Sequence, residues 1–172
     1  MRSVFSFPHP VNEIAARVVA GGVFILAVAA ITFRQPWLLV PLAYGFWARV
    51  LTGPRLSPLG QLATRVIAPR LGREPRLVPG PPKRFAQAMG VAFSTTALVL
   101  WYGFGLGAAT WAVTALLGTA ALLESAFGIC LGCIAFGALM RAGVIPEEIC
   151  VACADISLRH PQLSGANAAD RG

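Results

Sequence analysis

The chain has 172 residues, of which 56% are hydrophobic and only 12% are charged, with 14 Lys and Arg against 7 Asp and Glu. Soluble domains carry about a quarter of charged residues, so this composition argues against an ordinary soluble globular protein. It also argues against a disordered chain, because disorder requires low hydrophobicity. A chain of this length holds one domain, and its apolar residues fall in blocks long enough to cross a bilayer.

Four apolar blocks are predicted to form membrane-spanning helices, because a span needs about 20 apolar residues. They cover residues 14–33, 36–52, 85–104 and 108–130. Asn12 is suited to cap the first helix, and Pro36 suits the first turn of the second. Gly53 and Pro54 together form a stop signal after the second block.

The fourth apolar stretch continues as far as Met140, which is too long for one span. We therefore expect the membrane part to end near Cys130. The remainder should protrude or bend, with Gly128, Gly132 and Gly137 as the candidate positions.

Basic residues concentrate in the loop of residues 53–84, between the second and third blocks. Positive residues favour the cytoplasmic side, so this loop and, with four spans, both termini are predicted to be cytoplasmic. Leu59, Leu62, Val66 and Ile67 recur at helical spacing within the loop and predict a short interfacial amphipathic helix. The basic residues of the loop are Arg55, Arg65, Arg70, Arg73, Arg76, Lys83 and Arg84.

The predicted fold is thus an all-α membrane protein, a bundle of four transmembrane helices with a basic cytoplasmic loop. Residues 1–160 are predicted to form a single membrane domain, and residues 161–172 are expected to form a polar, disordered tail. A short cytoplasmic helix is predicted over residues 146–158, because Pro146 is followed by two acidic residues. Nucleic-acid binding is not expected, because the sequence contains no nucleic-acid motif.

Four cysteines form two pairs of equal spacing, Cys130 with Cys133 and Cys150 with Cys153. Residues three apart share a face of a helix, so each pair is predicted to lie on one helix face. Two antiparallel helices joined by the turn at Gly143 would bring the four sulfur atoms together at the cytoplasmic surface.

Three interpretations of these cysteines remain open. In the first, which we favour, the pairs are redox-active thiols that exchange with a thioredoxin-like partner, because C-x-x-C spacing supplies a thiolate and a resolving thiol. In the second, Cys130, Cys133, Cys150 and Cys153 bind zinc or an iron–sulfur centre, since the spacing lies in the range of structural zinc sites. In the third, they are small buried hydrophobic residues.

Two further sets of charged residues are candidates for function. Glu124 is the single acid within an apolar block, and an ionisable residue at membrane depth suggests function. The simpler interpretation is an ion pair with Arg84 or Arg49. On one continuous helix, Glu124 would lie nearly opposite Cys133 and would not be an obvious base for that thiol.

Basic residues at the start of the third block form the second set. Lys83 and Arg84 stand at a helix N-terminus, where they would bind an anion together with free N–H groups. We expect this anion to be a lipid headgroup or an oxyanion substrate. Arg55 lies in a second basic turn on the same side.

Several segments resemble a group of bacterial membrane proteins, mainly actinobacterial, that is catalogued only as a domain of unknown function. The resemblance covers about residues 8–142 and is carried most specifically by Pro81-Pro82-Lys83-Arg84-Phe85-Ala86-Gln87 and by Cys130-Leu131-Gly132-Cys133. It implies a multi-pass protein of the bacterial inner membrane with no established activity. It also suggests an association with thioredoxin-like or sulfurtransferase functions.

The leading hypothesis is therefore a membrane thiol-redox or sulfur-relay component that works with a soluble thioredoxin-like or sulfurtransferase partner. Its exchanging pair would be Cys130 and Cys133, while Cys150 and Cys153 would pass electrons or sulfur onward, and no cofactor is predicted. The alternative is a membrane scaffold or small transporter of an anionic solute, stabilised by a Cys₄ metal site. No hydrolase or kinase signature is present, and neither the oligomeric state nor membership of an enzyme class follows from the sequence.

Overall fold

The computed structural model describes residues 11–70 and 77–145, which are mainly helical. Two short strands, β1 (Val11–Asn12) and β2 (Leu77–Val78), pair antiparallel. The helices are α1 (Glu13–Thr32), α2 (Leu39–Thr52), α3 (Pro58–Leu62), α4 (Ala68–Arg70), α5 (Gly80–Leu98), α6 (Gly107–Leu122) and α7 (Leu131–Arg141). Because β1 precedes α1 and β2 precedes α5, these two long helices begin at the same end of the molecule.

Three helices are long and apolar enough to cross a membrane. They are Glu13–Thr32, Gly80–Gly103 and Gly107–Phe127, the last two being α5 and α6 extended by single π-helical turns at Val99–Gly103 and Leu123–Phe127. The prediction of a helical protein with membrane-length helices is therefore confirmed at this level.

The observed helix ends agree with the sequence signals in part. Asn12 caps α1 as predicted, since its Oδ1 accepts a hydrogen bond from the N–H of Ile14 at 2.9 Å. The third block begins at Gly80 rather than at residue 85, because the two prolines fit the first helical turn. The helix that contains α6 ends at Phe127, where Gly128 adopts φ +71°, one of the three bend positions expected.

The second apolar block gives a shorter helix than predicted. A 3₁₀ turn over Pro36–Leu38 precedes α2, which has 14 residues and so falls short of the roughly 20 of a full span. This helix runs antiparallel to α5. Its Phe46 ring lies against Gly90, and its Trp47 Nε1 donates to Thr95 Oγ1 at 3.2 Å.

The basic loop is helical where the amphipathic helix was predicted, but this segment packs against α1. Helices α3 and α4 are joined by a π turn at Ala63–Ile67. Ala63 of this turn and Ala68 of α4 are buried against Ala15 and Val19 of α1. Leu59 of the predicted interfacial face packs against the same cluster, so that part of the face contacts protein. Residues 71–76, the predicted helix at 146–158 and the tail lie outside the described residues.

Charged residues concentrate at one end of the long helices, and four exposed aromatic side chains lie at the other. We call the end where α1 and α5 begin and α6 ends the cysteine end. At the other end, Arg34 is the single charged residue in the part of the chain that is described. The exposed aromatic side chains at that other end are Phe33, Trp37, Tyr102 and Phe104.

Helix α7 packs against the first turns of α5 at the cysteine end. The rings of Phe85 and Phe136 lie 5.6 Å apart. Gly132 makes the closest approach, because a Cβ at this position would lie 2.5 Å from both Cα and Cβ of Ala86. The glycine of the C-x-G-C motif is thus required by helix packing, and the contact brings the two cysteines beside the motif that opens α5.

Replacing Gly132 with alanine should separate α7 from α5. The added methyl group meets backbone atoms that cannot move aside, so we expect a destabilisation of about 1–3 kcal/mol, seen as a lower apparent Tm in detergent. Gly137→Ala is the matched control, since a Cβ added there would have no atom within 4 Å and alanine favours a helix. Equal Tm values for the two variants would contradict this packing.

Candidate functional site

A mostly buried ion pair lies at the centre of the cysteine end. Lys83 Nζ, from the first turns of α5, lies 2.5 Å from Glu124 Oε1 in the π turn that ends α6, and the two side chains are 9% and 15% exposed. The predicted ion pair of Glu124 with Arg84 or Arg49 is wrong. Because Lys83 is buried in this pair, the prediction that it binds a lipid headgroup is not supported either.

The helix that contains Glu124 ends at Phe127 and does not continue into α7. The π turn at Leu123–Phe127 shifts the direction of the side chains, as π turns at functional sites often do. Gly128 then adopts a left-handed conformation, and a Cβ there would overlap the guanidinium of Arg17. Glu124 and Cys133 therefore do not lie on one continuous helix, which was the condition for placing them on opposite faces.

The first cysteine pair occupies the start of α7. Cys130 is the N-cap residue, with φ −92° and ψ 102°, and is 8% exposed. Cys133 lies in the first turn and is half-buried, and both are free thiols. The two do not share a face of one helix as predicted, because Cys130 precedes the helix. Their side chains nevertheless lie close enough for each to shift the pKa of the other.

The interaction between the two thiols makes them unequal. It lowers the pKa of Cys130 below that of an ordinary thiol, an effect that burial and the charge of Glu124 oppose and that the charge of Lys83 supports. The same interaction, together with burial, raises the pKa of Cys133 far above the ordinary range. Both residues lie beyond Phe127, outside the candidate membrane spans. The arrangement thus favours a thiolate at Cys130 and a thiol at Cys133.

One feature of the sequence could have indicated that Lys83 has a special role, namely the choice of lysine over arginine at this position. Lys83 is the single lysine among 14 basic residues. Lysine carries a compact charge on a flexible stem, whereas arginine is a planar fork. This compact charge fits the narrow space between Glu124 and the two thiols.

Sequence reasoning missed the role of Arg49. This residue is 5% exposed, and its Nε donates to Gln87 Oε1 at 2.8 Å and its Nη1 to Ser57 Oγ at 3.3 Å. The guanidinium carbon lies 4.6 Å from the centre of the Phe46 ring. Its Nη2 is buried with no hydrogen-bond partner. No local motif reveals this environment, because its partners come from three separate segments.

A cavity of about 230 Å³ joins these groups. Its polar lining residues are Arg49, Gln87, Glu124 and Cys130. The remaining walls are apolar and come mainly from α1, α5 and α6, including Val19, Val23, Met89, Phe93, Leu116 and Leu117.

For the other predicted site residues the structure gives only a general location or none. Arg84 is exposed on α5 and Arg55 is half-buried after α2, both at the cysteine end. Cys150 and Cys153 lie outside the described residues, so the four-cysteine metal site is not described. Within residues 11–70 and 77–145, no group of three or more His, Cys, Asp or Glu side chains could hold a metal ion.

The fold and the site define a class: a helical protein with membrane-length helices and a C-x-x-C pair at the start of a further helix. The chain belongs to the family described as Domain of unknown function (DUF4395), whose sequence model matches residues 11–141. The resemblance to a family of this description is thereby confirmed. No curated protein and no solved structure matches the chain. Function must therefore be argued from the site.

Removing the charge of Lys83 should raise the pKa of Cys130. In Lys83→Gln the thiolate loses a nearby cation and faces an unpaired Glu124, and both changes disfavour the charged form. The midpoint of iodoacetamide alkylation of Cys130 against pH, read by mass spectrometry, should rise by about 1 unit or more. Arg84→Gln removes an equal charge from the exposed neighbour and should leave the midpoint nearly unchanged. The same midpoint in both variants would contradict the role of Lys83.

Proposed function

We propose that this protein is an integral membrane component of thiol–disulfide exchange, with Cys130 as the attacking thiol and Cys133 as the resolving thiol. The observation that carries the proposal is the placement of the two thiols at the start of α7, with Cys130 as the N-cap residue and Cys133 in the first turn. Their interaction there moves their pKa values in opposite directions. Exchange needs one thiolate to attack and a second thiol held in reserve. If the two cysteines served only as small buried hydrophobic residues, neither a difference between their pKa values nor a neighbouring lysine would be needed.

The reaction follows from these two roles. The Cys130 thiolate attacks one sulfur of a partner's disulfide, which forms a mixed disulfide and releases the partner's other sulfur as a thiolate. Cys133 then loses its proton and attacks Cys130 Sγ, forming the Cys130–Cys133 disulfide and releasing the second partner sulfur. Two electrons pass from the pair to the partner, and the reverse sequence restores the dithiol.

The position of the pair supports a soluble partner. Cys133 is half-buried at the cysteine end, beyond the last candidate span. We propose a thioredoxin-like protein or a sulfurtransferase as the partner, with Cys150 and Cys153 as the second pair that passes electrons or sulfur onward. The repeated C-x-x-C spacing supports this division of roles.

We further propose that the protein lies in a bacterial plasma membrane with its cysteine end and both termini in the cytoplasm. In this arrangement α2 is a fourth, short span that completes a four-helix bundle. The concentration of basic residues at the cysteine end supports this orientation. The exposed aromatic residues at the other end are typical of a membrane interface.

A trapping experiment tests the proposed exchange. With Cys150 and Cys153 changed to serine, the Cys133→Ser variant should accumulate a mixed disulfide with a thioredoxin that keeps only its exposed active-site cysteine, activated by a thionitrobenzoate leaving group. Cys130 displaces that group as the free thiolate, and neither protein then holds a second thiol that could resolve the product. The adduct is read on a non-reducing gel and by mass spectrometry.

Cys130→Ser in the same background is the matched control and should trap at least about tenfold less, since burial still raises the pKa of Cys133 after Cys130 is removed. Absence of a mixed disulfide in both variants would contradict exchange through this pair.

A further inference from the structure

The cavity beside Cys130 contains a buried cation with an unused hydrogen-bond donor. Arg49 is 5% exposed, and two of its three nitrogen atoms donate to Gln87 and Ser57, whereas Nη2 has no partner. An unpaired buried N–H is costly, and more so on a charged group. A ligand with an acceptor atom at this position would relieve that cost.

The other lining groups restrict the chemistry of such a ligand. The carboxylate of Glu124 lines the same cavity and would repel an anion, although Lys83 pairs with it. Most of the wall is apolar and includes the aromatic side chains of Phe46 and Phe93. The lining therefore favours a neutral, largely apolar molecule that presents a carbonyl oxygen to Arg49.

The cavity is also accessible from the expected position of lipid. Leu116 lines it and is 62% exposed, so one wall reaches the outer surface of α6. Helix α6 is one of the three membrane-length helices. A molecule dissolved in the bilayer could reach Arg49 and Cys130 from this side.

We propose that this cavity binds the ring of a membrane-soluble quinone, with a quinone carbonyl accepting a hydrogen bond from the guanidinium of Arg49, and that the quinone is the oxidant of the Cys130–Cys133 pair. This inference rests on the proposed thiol exchange and names its electron acceptor. It combines three features that a simple thiol carrier would not require: the unpaired donor, the apolar walls and the contact of Cys130 with the same cavity.

The electron transfer balances without a further reactant. The Cys130 thiolate and the Cys133 thiol together release two electrons and one proton as the S–S bond forms. The quinone takes up these two electrons and two protons, the second proton coming from water, and leaves as a quinol. The charge of Arg49 stabilises the negative charge that develops on the quinone oxygen. Electrons from a soluble dithiol would thus enter the membrane's quinone pool.

The test uses the full chain in detergent, reduced and freed of reductant, with Cys150 and Cys153 changed to serine. Decylubiquinone is the probe, because its fully substituted ring leaves no open position for direct thiol addition. We expect one quinol, followed by absorbance, for each pair of thiols lost. Arg49→Gln should slow this reaction about tenfold or more, as expected for loss of a hydrogen bond to a charged group.

Two controls separate the binding of quinone from the folding of the protein. Arg65→Gln removes an exposed arginine away from the cavity and should react at the wild-type rate. Ala120→Leu narrows the cavity without touching Arg49, and should slow quinone reduction, whereas Ala115→Leu on the exposed side of α6 should not. If Arg49→Gln does not fold, the comparison of these two alanine-to-leucine variants still tests the quinone site.

The outcomes distinguish this inference from the proposed function. Exchange with thioredoxin but no quinol, or equal quinol rates in wild type and Arg49→Gln, would overturn the quinone site and leave exchange standing. Loss of both reactions in the wild type would overturn both proposals. Stabilisation by sulfate that depends on Arg49, with none by decylubiquinone, would assign the cavity to an anion and overturn the inference.

Discussion

The buried ion pair of Lys83 and Glu124 holds together the parts of the chain on which the site depends. It joins the start of α5 to the π turn that ends α6, and α7 begins only shortly after that turn. Removing one partner of a buried pair costs about 3–5 kcal/mol, because the other charge is left without compensation. The pair also supplies charges that act on the two thiols, in addition to the larger effect that each thiol has on the other.

Glycine positions allow the chain to bring the thiols to this pair. Gly128 takes the left-handed conformation that ends the helix containing α6, and Gly132 lets α7 approach the backbone of Ala86. A side chain at either position would move Cys130 away from Lys83. The C-x-G-C motif therefore has a packing requirement as well as a chemical one, and the two most specific motifs of the sequence are spatial neighbours.

Local signals predicted much of the fold. The Asn12 cap, the three membrane-length helices and the bend at Gly128 each follow from residues that are close in sequence. The length of α2 was overestimated, because hydrophobicity alone does not show that Pro36–Leu38 forms a 3₁₀ turn. The site was predicted only in its cysteines. The Lys83 partner of Glu124 and the unpaired Nη2 of Arg49 depend on contacts between residues about 40 positions apart, which no spacing pattern specifies.

The central claim is that the site makes Cys130 a reactive thiolate and keeps Cys133 protonated. The most direct test is competitive alkylation of the wild-type dithiol with limiting iodoacetamide across a pH series, with each cysteine quantified by mass spectrometry. The account predicts that Cys130 is modified first, and already below pH ~8.5, the pKa of an ordinary thiol. Equal modification of the two cysteines at every pH, or faster modification of Cys133, would contradict it.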